Sequence, residues 1–287
     1  MKITRSDSII RKSPHTARKK YQTEFAKKVA LSFLVLAVFL GLALYGLYRP
    51  EVRIRNISVL GTFVIKPDDI KKVAEGELFG KYFYLLPKRS IFIYPKEQLE
   101  NKLAENFKRI QGINIERNGF TEILISIKER SERYLWCGRD LIEERAPSDD
   151  CYFVDSGGYL FSKAPYYSGN LFLEFYGPLS DGENNKPVGG TVLPEENFEN
   201  LIRFVENLAL IHLLPQKILL KADGDYEIFL ERGGRVMINS KNNLQKNIEY
   251  LKLALATNPL KTKMETARET LDYLDIRFGN KVFFKFR

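Results

Sequence analysis

Few residues in this 287-residue chain have the types and spacing to do chemistry, and they do not converge on one place. Asp155-Ser156-Gly157-Gly158 sets a serine among glycines, as a nucleophile motif would. Such a serine needs a histidine base beside it and a donor-lined oxyanion hole. Only His15 and His212 exist. His15 lies in a basic tail across an apolar span from the serine, and His212 ends an amphipathic helix. The glycines read better as a hairpin turn capped by Asp155. Glu143-Glu144 and Asp149-Asp150 are paired acids in a loop, where charge runs are ordinarily just solvated. Asp223-Gly224-Asp225 offers two carboxylates to a cation without the further ligands a calcium loop needs, so a β-turn suffices. Two cysteines and two histidines are too few for a zinc site. The expectation is a protein with no catalytic residues, no metal and no cofactor.

Cys137 and Cys151 stand on the C-terminal side of the apolar span. In an oxidising compartment they could close a loop of about 15 residues, worth on the order of 3 kcal/mol. In a reducing one they are two partly buried thiols.

The span itself, Val29 to Tyr48, contains no charged residue. Twenty residues of helix at about 1.5 Å each cover roughly the 30 Å hydrocarbon core of a bilayer. No small-x-small cleavage pattern follows it, so it reads as an uncleaved signal anchor. Residues 1–28 carry nine Lys or Arg against Asp7 and Glu24, whereas the remainder is nearly balanced at a net +2. That asymmetry predicts a cytoplasmic N-terminus, weakened only by Arg49, Arg53 and Arg55 just past the span. It also argues against nucleic acid as the partner of the large C-terminal part.

Beyond the span, residues 53–130 predict a β-α-α-β-β unit. Arg53 to Val59 alternates, and Gly61 makes a turn. Pro67 with Asp68 and Asp69 opens a helix, and Leu99, Leu103 and Phe107 line a second one that starts at Pro95. Asn118-Gly119 then joins two alternating runs, 113–117 and 121–127, as a hairpin. Residues 131–287 predict a mostly β domain with two helices. The first runs from Glu195 to Leu210 with Phe198, Leu201, Ile202, Val205 and Leu208 on one stripe. The second is capped by Ser240, carries Leu244, Ile248, Leu251 and Leu255, and is ended by Asn258-Pro259. Short strands surround them, among them a 226–238 hairpin turning at Gly233-Gly234 and a final pair at 274–278 and 282–286.

Several motifs now fall in a familiar order: Ile57-Ser58-Val59-Leu60-Gly61 before an acidic helix start, Ile127-Lys128-Glu129-Arg130, Phe153 to Phe161 with its Asp-x-x-Gly, and Tyr273 to Phe278. Together with the tail and anchor they resemble the FtsQ/DivIB family of bacterial cell-division proteins. Ser131 stands where that family commonly has proline, and residues 138–150 look peculiar to this chain. The resemblance implies an α+β protein: tail 1–28, transmembrane anchor 29–48, a POTRA domain at 53–130 and a C-terminal β domain at 131–287. It implies a non-catalytic divisome scaffold in the inner membrane, with its C-terminus periplasmic, recruited to the septum through the POTRA domain. The partners implied are small bitopic FtsB/FtsL-type (DivIC/FtsL) proteins that help control septal peptidoglycan synthesis.

A physical mechanism accompanies that expectation, because an edge strand exposes unpaired N–H and C=O groups to which a partner strand can add. The candidates are Asp275, Arg277, Phe278, Val282 and Phe284. Alternation sets Leu274, Ile276 and Phe278 against Asp275 and Arg277, and Val282, Phe284 and Phe286 against Phe283, Lys285 and Arg287. The sequence leaves open which strand is the edge. A second edge is expected at 53–59 or 121–127. The competing reading is a membrane-anchored POTRA protein of a transport or secretion system that binds exported polypeptides.

Overall fold

A computed structural model describes residues 14–142, 144, 146, 149–169, 171–183, 185–265 and 270–287, with side chains from Phe25 onward and not for residue 265. Residues 1–13, the side chain of His15 and Glu143 of the first acidic pair lie outside the described residues. The described chain divides into two compact units. One holds the residues up to Leu60 with Lys66–Leu103 and Asn114–Ser126; the other holds Gly61–Ile65, Ala104–Ile113 and Ile127–Arg287.

Helix α1 spans Pro14–Leu47 and contains one stretch, Phe25–Leu47, long and apolar enough to cross a membrane, with a mean hydropathy of 2.4 and its side chains turned outward. A single 3-10 turn, Pro50–Val52, follows. Then come β1 (Asn56–Leu60), α2 (Pro67–Glu77), a short hairpin of β2 (Lys81–Tyr82) and β3 (Leu86–Pro87), α3 (Lys96–Asn106), β4 (Ile110–Asn118) and β5 (Glu122–Glu129). Pro67 occupies the first turn of α2 with Asp68 and Asp69 behind it, where a fixed φ and negative charge both favour a helix start. Leu99 and Leu103 of the expected α3 stripe are fully buried, whereas Phe107 falls just past the helix end at Asn106 and is only partly buried.

The sheet order is β1-β5-β4, with β1 parallel to β5 and Ile57 opposite Ile123. This corrects one expectation. The 121–127 run is the central strand and offers no edge, because the hairpin at Gly119 returns it between β4 and β1. The first strand also starts at Asn56 rather than Arg53, which makes only an isolated bridge to Ser90.

The larger unit carries β6 (Tyr134–Trp136), β7 (Cys151–Val154), β8 (Leu160–Ala164), β9 (Leu173–Tyr176), β10 (Asp181–Glu183), β11 (Lys186–Thr191), α4 (Glu195–Leu210), β12 (Pro215–Leu220), β13 (Asp225–Leu230), β14 (Arg235–Asn239), α5 (Leu244–Leu255), α6 (Leu260–Glu265), β15 (Leu271–Asp275) and β16 (Phe283–Phe286). Nine of these strands form one mixed sheet in the order β16-β15-β14-β13-β12-β9-β6-β7-β8. Period-2 alternation gives the sheet two different faces. On one, Phe175, Ile218, Ile228, Val236, Ile238 and Leu274 pack with Phe198, Leu201, Phe204, Val205 and Leu208 of α4 and with Ile248 and Leu251 of α5. Each such aliphatic or aromatic side chain contributes about 1.5–3 kcal/mol on burial. On the other face a smaller cluster gathers Leu135, Phe153, Phe161 and Tyr176 around Cys137 and Cys151. Those cysteines are joined, with sulfurs 2.06 Å apart.

The α4 bounds match the sequence pattern, although Phe204 is buried deeper than the expected Ile202. Ser240 does not cap α5: Asn243 does, its side-chain oxygen accepting from the Lys246 N–H at 3.0 Å. Asn is as good a cap as Ser, and it stands immediately before the first helical residue. After α5 the chain turns at Asn258-Pro259 into the short α6, a third helix that the pattern did not indicate. Hairpin β10–β11 and strand β12 were likewise not anticipated.

Candidate functional site at the C-terminal sheet edge

Among the described residues, the last strand, β16, is an outer strand of the nine-stranded sheet and pairs only on its β15 side. Its sequence splits by alternation. Phe284 and Phe286, with Val282 just before, pack against the main core, while Phe283, Lys285 and Arg287 are exposed. Of the five candidate residues, Val282 and Phe284 therefore point to the core, and Asp275, Arg277 and Phe278 gather on the opposite side. There they line a shallow groove with Arg235, Met237, Tyr273 and Phe283.

Phe278 corrects the expected alternation. Leu274 and Ile276 are fully buried, but Phe278 is 57% exposed. The strand ends at Asp275, and the next carbonyls are claimed by side chains near α5: Asn247 reaches Ile276 O at 3.4 Å, and Asn242 reaches Arg277 O at 2.8 Å. The backbone leaves the pleat there, so the period-2 count stops applying. Phe278 turns outward and meets Phe283 edge-on at 5.8 Å between ring centroids.

Arg277 holds the groove together. Its Nε and Nη2 donate to Asp275 at 2.9 and 2.7 Å, its Nη1 donates to Asp225 of β13, and its guanidinium lies 5.4 Å from the Phe278 ring centre. The Asp275 bonds, partly opposed by burial and then reinforced by Asp225, hold the guanidinium far above its ordinary pKa. Burial would favour a neutral Asp225, yet hydrogen bonds from Asn239 and Arg277 outweigh it and hold that carboxyl below its ordinary value. Beside this triad Glu227, nearly buried, pairs with Lys221 and with Arg235 at 3.2 Å. The Nε of Arg235 is buried without a hydrogen-bond partner among the described residues.

At the rim, Arg287, just past β16, and Lys285 of β16 bind Asp272 at 3.0 and 3.4 Å. The Arg287 hydrogen bond, more than any other influence, depresses the Asp272 pKa. The arrangement is an aromatic pair and a row of fixed charges beside an open strand. That can bind an extended polypeptide by main-chain pairing, with side-chain selection in the groove.

The other sequence candidates lie elsewhere. Asp155 caps its hairpin, accepting from the N–H groups of Gly157 and Tyr159 at 2.9 and 3.0 Å, and it also receives Arg130. Asp223 accepts from the Asp225 N–H at 3.0 Å, closing the turn at Gly224. His212 is exposed at a residue with φ of 67° following α4. Asp150 pairs with Lys163 at 2.6 Å, and Asp149 accepts from the Ala146 N–H. Sequence reasoning missed Asp225 as the partner of Arg277, a pairing across 52 positions that no local pattern signals. It also missed Arg235 and Tyr273. Phe283 was visible in the alternation but was set on the face opposite the chosen residues.

Comparison with protein-family models and with curated proteins gives no match to this chain.

Proposed function

We propose that this protein is a non-catalytic, single-pass scaffold of the bacterial divisome, of the FtsQ/DivIB kind, that docks FtsB/FtsL-type partners on its C-terminal sheet edge. The observation that carries this reading is the open β16 edge beside the Phe278–Phe283 pair. A partner strand would add to β16 while its side chains enter the groove lined by Arg277 and Phe278. The β1, α2, α3, β4, β5 framework of residues 56–129, which carries the β2–β3 hairpin between its two helices, supports reading that segment as a POTRA domain with a recruiting role, and the apolar stretch of α1 supports an inner-membrane anchor. The N-terminus would be cytoplasmic and the residues that follow the apolar stretch periplasmic.

The test is co-purification of FtsB/FtsL-type partners with Phe278→Glu and Phe283→Glu proteins. Both side chains are about half exposed, so the fold tolerates the charge and partner recovery falls at least tenfold, about 1.4 kcal/mol. Undiminished recovery by folded protein would reject this edge as the docking site. A fluorescent fusion at the N-terminus that rims the whole cell, instead of marking the constriction, would favour the transport reading.

A further inference from the structure

The hairpin β2–β3 lies far in sequence from the sheet edge and has no part in the docking just described. Its tip is Phe83-Tyr84-Leu85, closed by the Leu85 N–H donating to Tyr82 O at 3.0 Å. Phe83 and Tyr84 both have positive φ, 47° and 63°. Asn or Gly normally takes such positions, since a Cβ there is crowded, and bulky aromatics are outliers. A turn that keeps two aromatic residues in this conformation and also exposes them gains nothing in water. Phe83 is 87% exposed, Tyr84 95%, Leu85 62%, and Phe79 just before the hairpin 84%. Backbone strain with outward-turned apolar side chains points to a surface they meet.

The structure places that tip at one end of the apolar helix. Tyr48, the residue after the Phe25–Leu47 stretch, donates its hydroxyl to Leu85 O at 2.6 Å. Lys81 of the hairpin stands 5.3 Å from the centre of the Tyr48 ring, and Arg49 stands 5.7 Å from that of Tyr45. Tyrosines at the end of a span, with Lys and Arg beside them, mark the headgroup level of a bilayer. The interfacial layer is roughly 5–8 Å thick on each side. A loop bonded to Tyr48 falls within that layer or directly upon it.

We propose that residues 79–85 are a second membrane contact: Phe79, Phe83, Tyr84 and Leu85 dip into the headgroup–acyl boundary of the phospholipid bilayer that α1 crosses, while Lys81 stays among the phosphates. The inference rests on reading α1 as membrane-spanning. Its consequence is that the first unit is pinned to the surface at two points, the helix and the loop, which restrains its rotation about the anchor.

Spin labels measure the depth directly. The sequence has two cysteines and both are in the bridge, so one introduced cysteine is the only free thiol. Full-length Tyr84→Cys protein, labelled and reconstituted in phosphatidylethanolamine–phosphatidylglycerol vesicles, is compared with Val35→Cys inside α1 and Arg232→Cys in an exposed turn. The ratio of oxygen to nickel-chelate accessibility is expected to be highest at Val35, intermediate at Tyr84 and lowest at Arg232. A label at Leu85→Cys keeps both aromatics intact and should report the same intermediate depth. Val35 in the bilayer with Tyr84 and Leu85 both at the water value would overturn the loop contact and leave the anchor standing. A water value at Val35 would overturn the anchor and the loop contact with it. Labels at the tip that read water in vesicles but are immobilised in native membranes would assign the loop to a protein, which also refutes the lipid contact.

Discussion

Replacing Arg277 with Ala separates a structural clamp from a docking residue. The guanidinium donates two bonds to Asp275 and one to Asp225, and these carboxylate side chains are only 9% and 19% exposed. Removing one partner of a fully buried ion pair costs about 3–5 kcal/mol, because the other charge is left without compensation. Arg277 itself retains 24% exposure, and water screens what remains, which brings the expected loss to about 2–3 kcal/mol. Urea unfolding of the full chain in detergent, followed by the fluorescence of the single tryptophan, Trp136, reads this directly. That indole is buried in the same sheet and donates to Gly177 O at 3.1 Å. The midpoint should fall while the slope stays constant.

The acid limb provides an internal control. Asp225 has a depressed folded pKa, so its contribution is complete above its unfolded value near 3.9 and is lost as the pH falls through the folded value. In Arg277→Ala protein part of that depression is gone, so the gap between the two proteins narrows below about pH 4. A loss under about 0.5 kcal/mol at neutral pH would refute the clamp and return Arg277 to the binding surface.

Three further outcomes test the neighbouring elements. Asp155→Ala should cost about 3–4 kcal/mol, because it strands two turn N–H groups and the guanidinium of Arg130, whereas Asp155→Asn should cost about half of that; the same unfolding assay decides. Gly158→Ala should destabilise by about 3 kcal/mol, since Gly158 has φ of +86° and an added Cβ would sit 2.9 Å from the ring of the buried Phe198; near-neutral behaviour would mean that the ring gives way. Reducing the Cys137–Cys151 bridge should lower stability by about 3 kcal/mol through the freed loop, with no change in partner recovery if docking is confined to β16.

Local signals were legible wherever chain neighbours alone decide the conformation. An uncharged, mostly apolar run of this length favours a helix, which satisfies its own backbone, and Pro67, Asn118-Gly119 and Gly233-Gly234 punctuate the chain whatever packs around them. The stripe on α4 likewise follows from 3.6-residue spacing, and the Asp155 turn cap from its own next few residues. Tertiary structure decided the rest. That β5 is central, that β16 is the outer strand, and that Cys137 meets Cys151 depend on which strands pair, and pairing joins residues far apart in the chain. Phe278 shows the limit most clearly: its spacing set it on one face with Leu274 and Ile276, but those two are buried and it is not, because the carbonyls of Ile276 and Arg277 bond to Asn247 and Asn242 and the pleat ends before it. Alternation holds only while the backbone stays in the sheet, and the groups that end the sheet here come from 29 and 35 positions away.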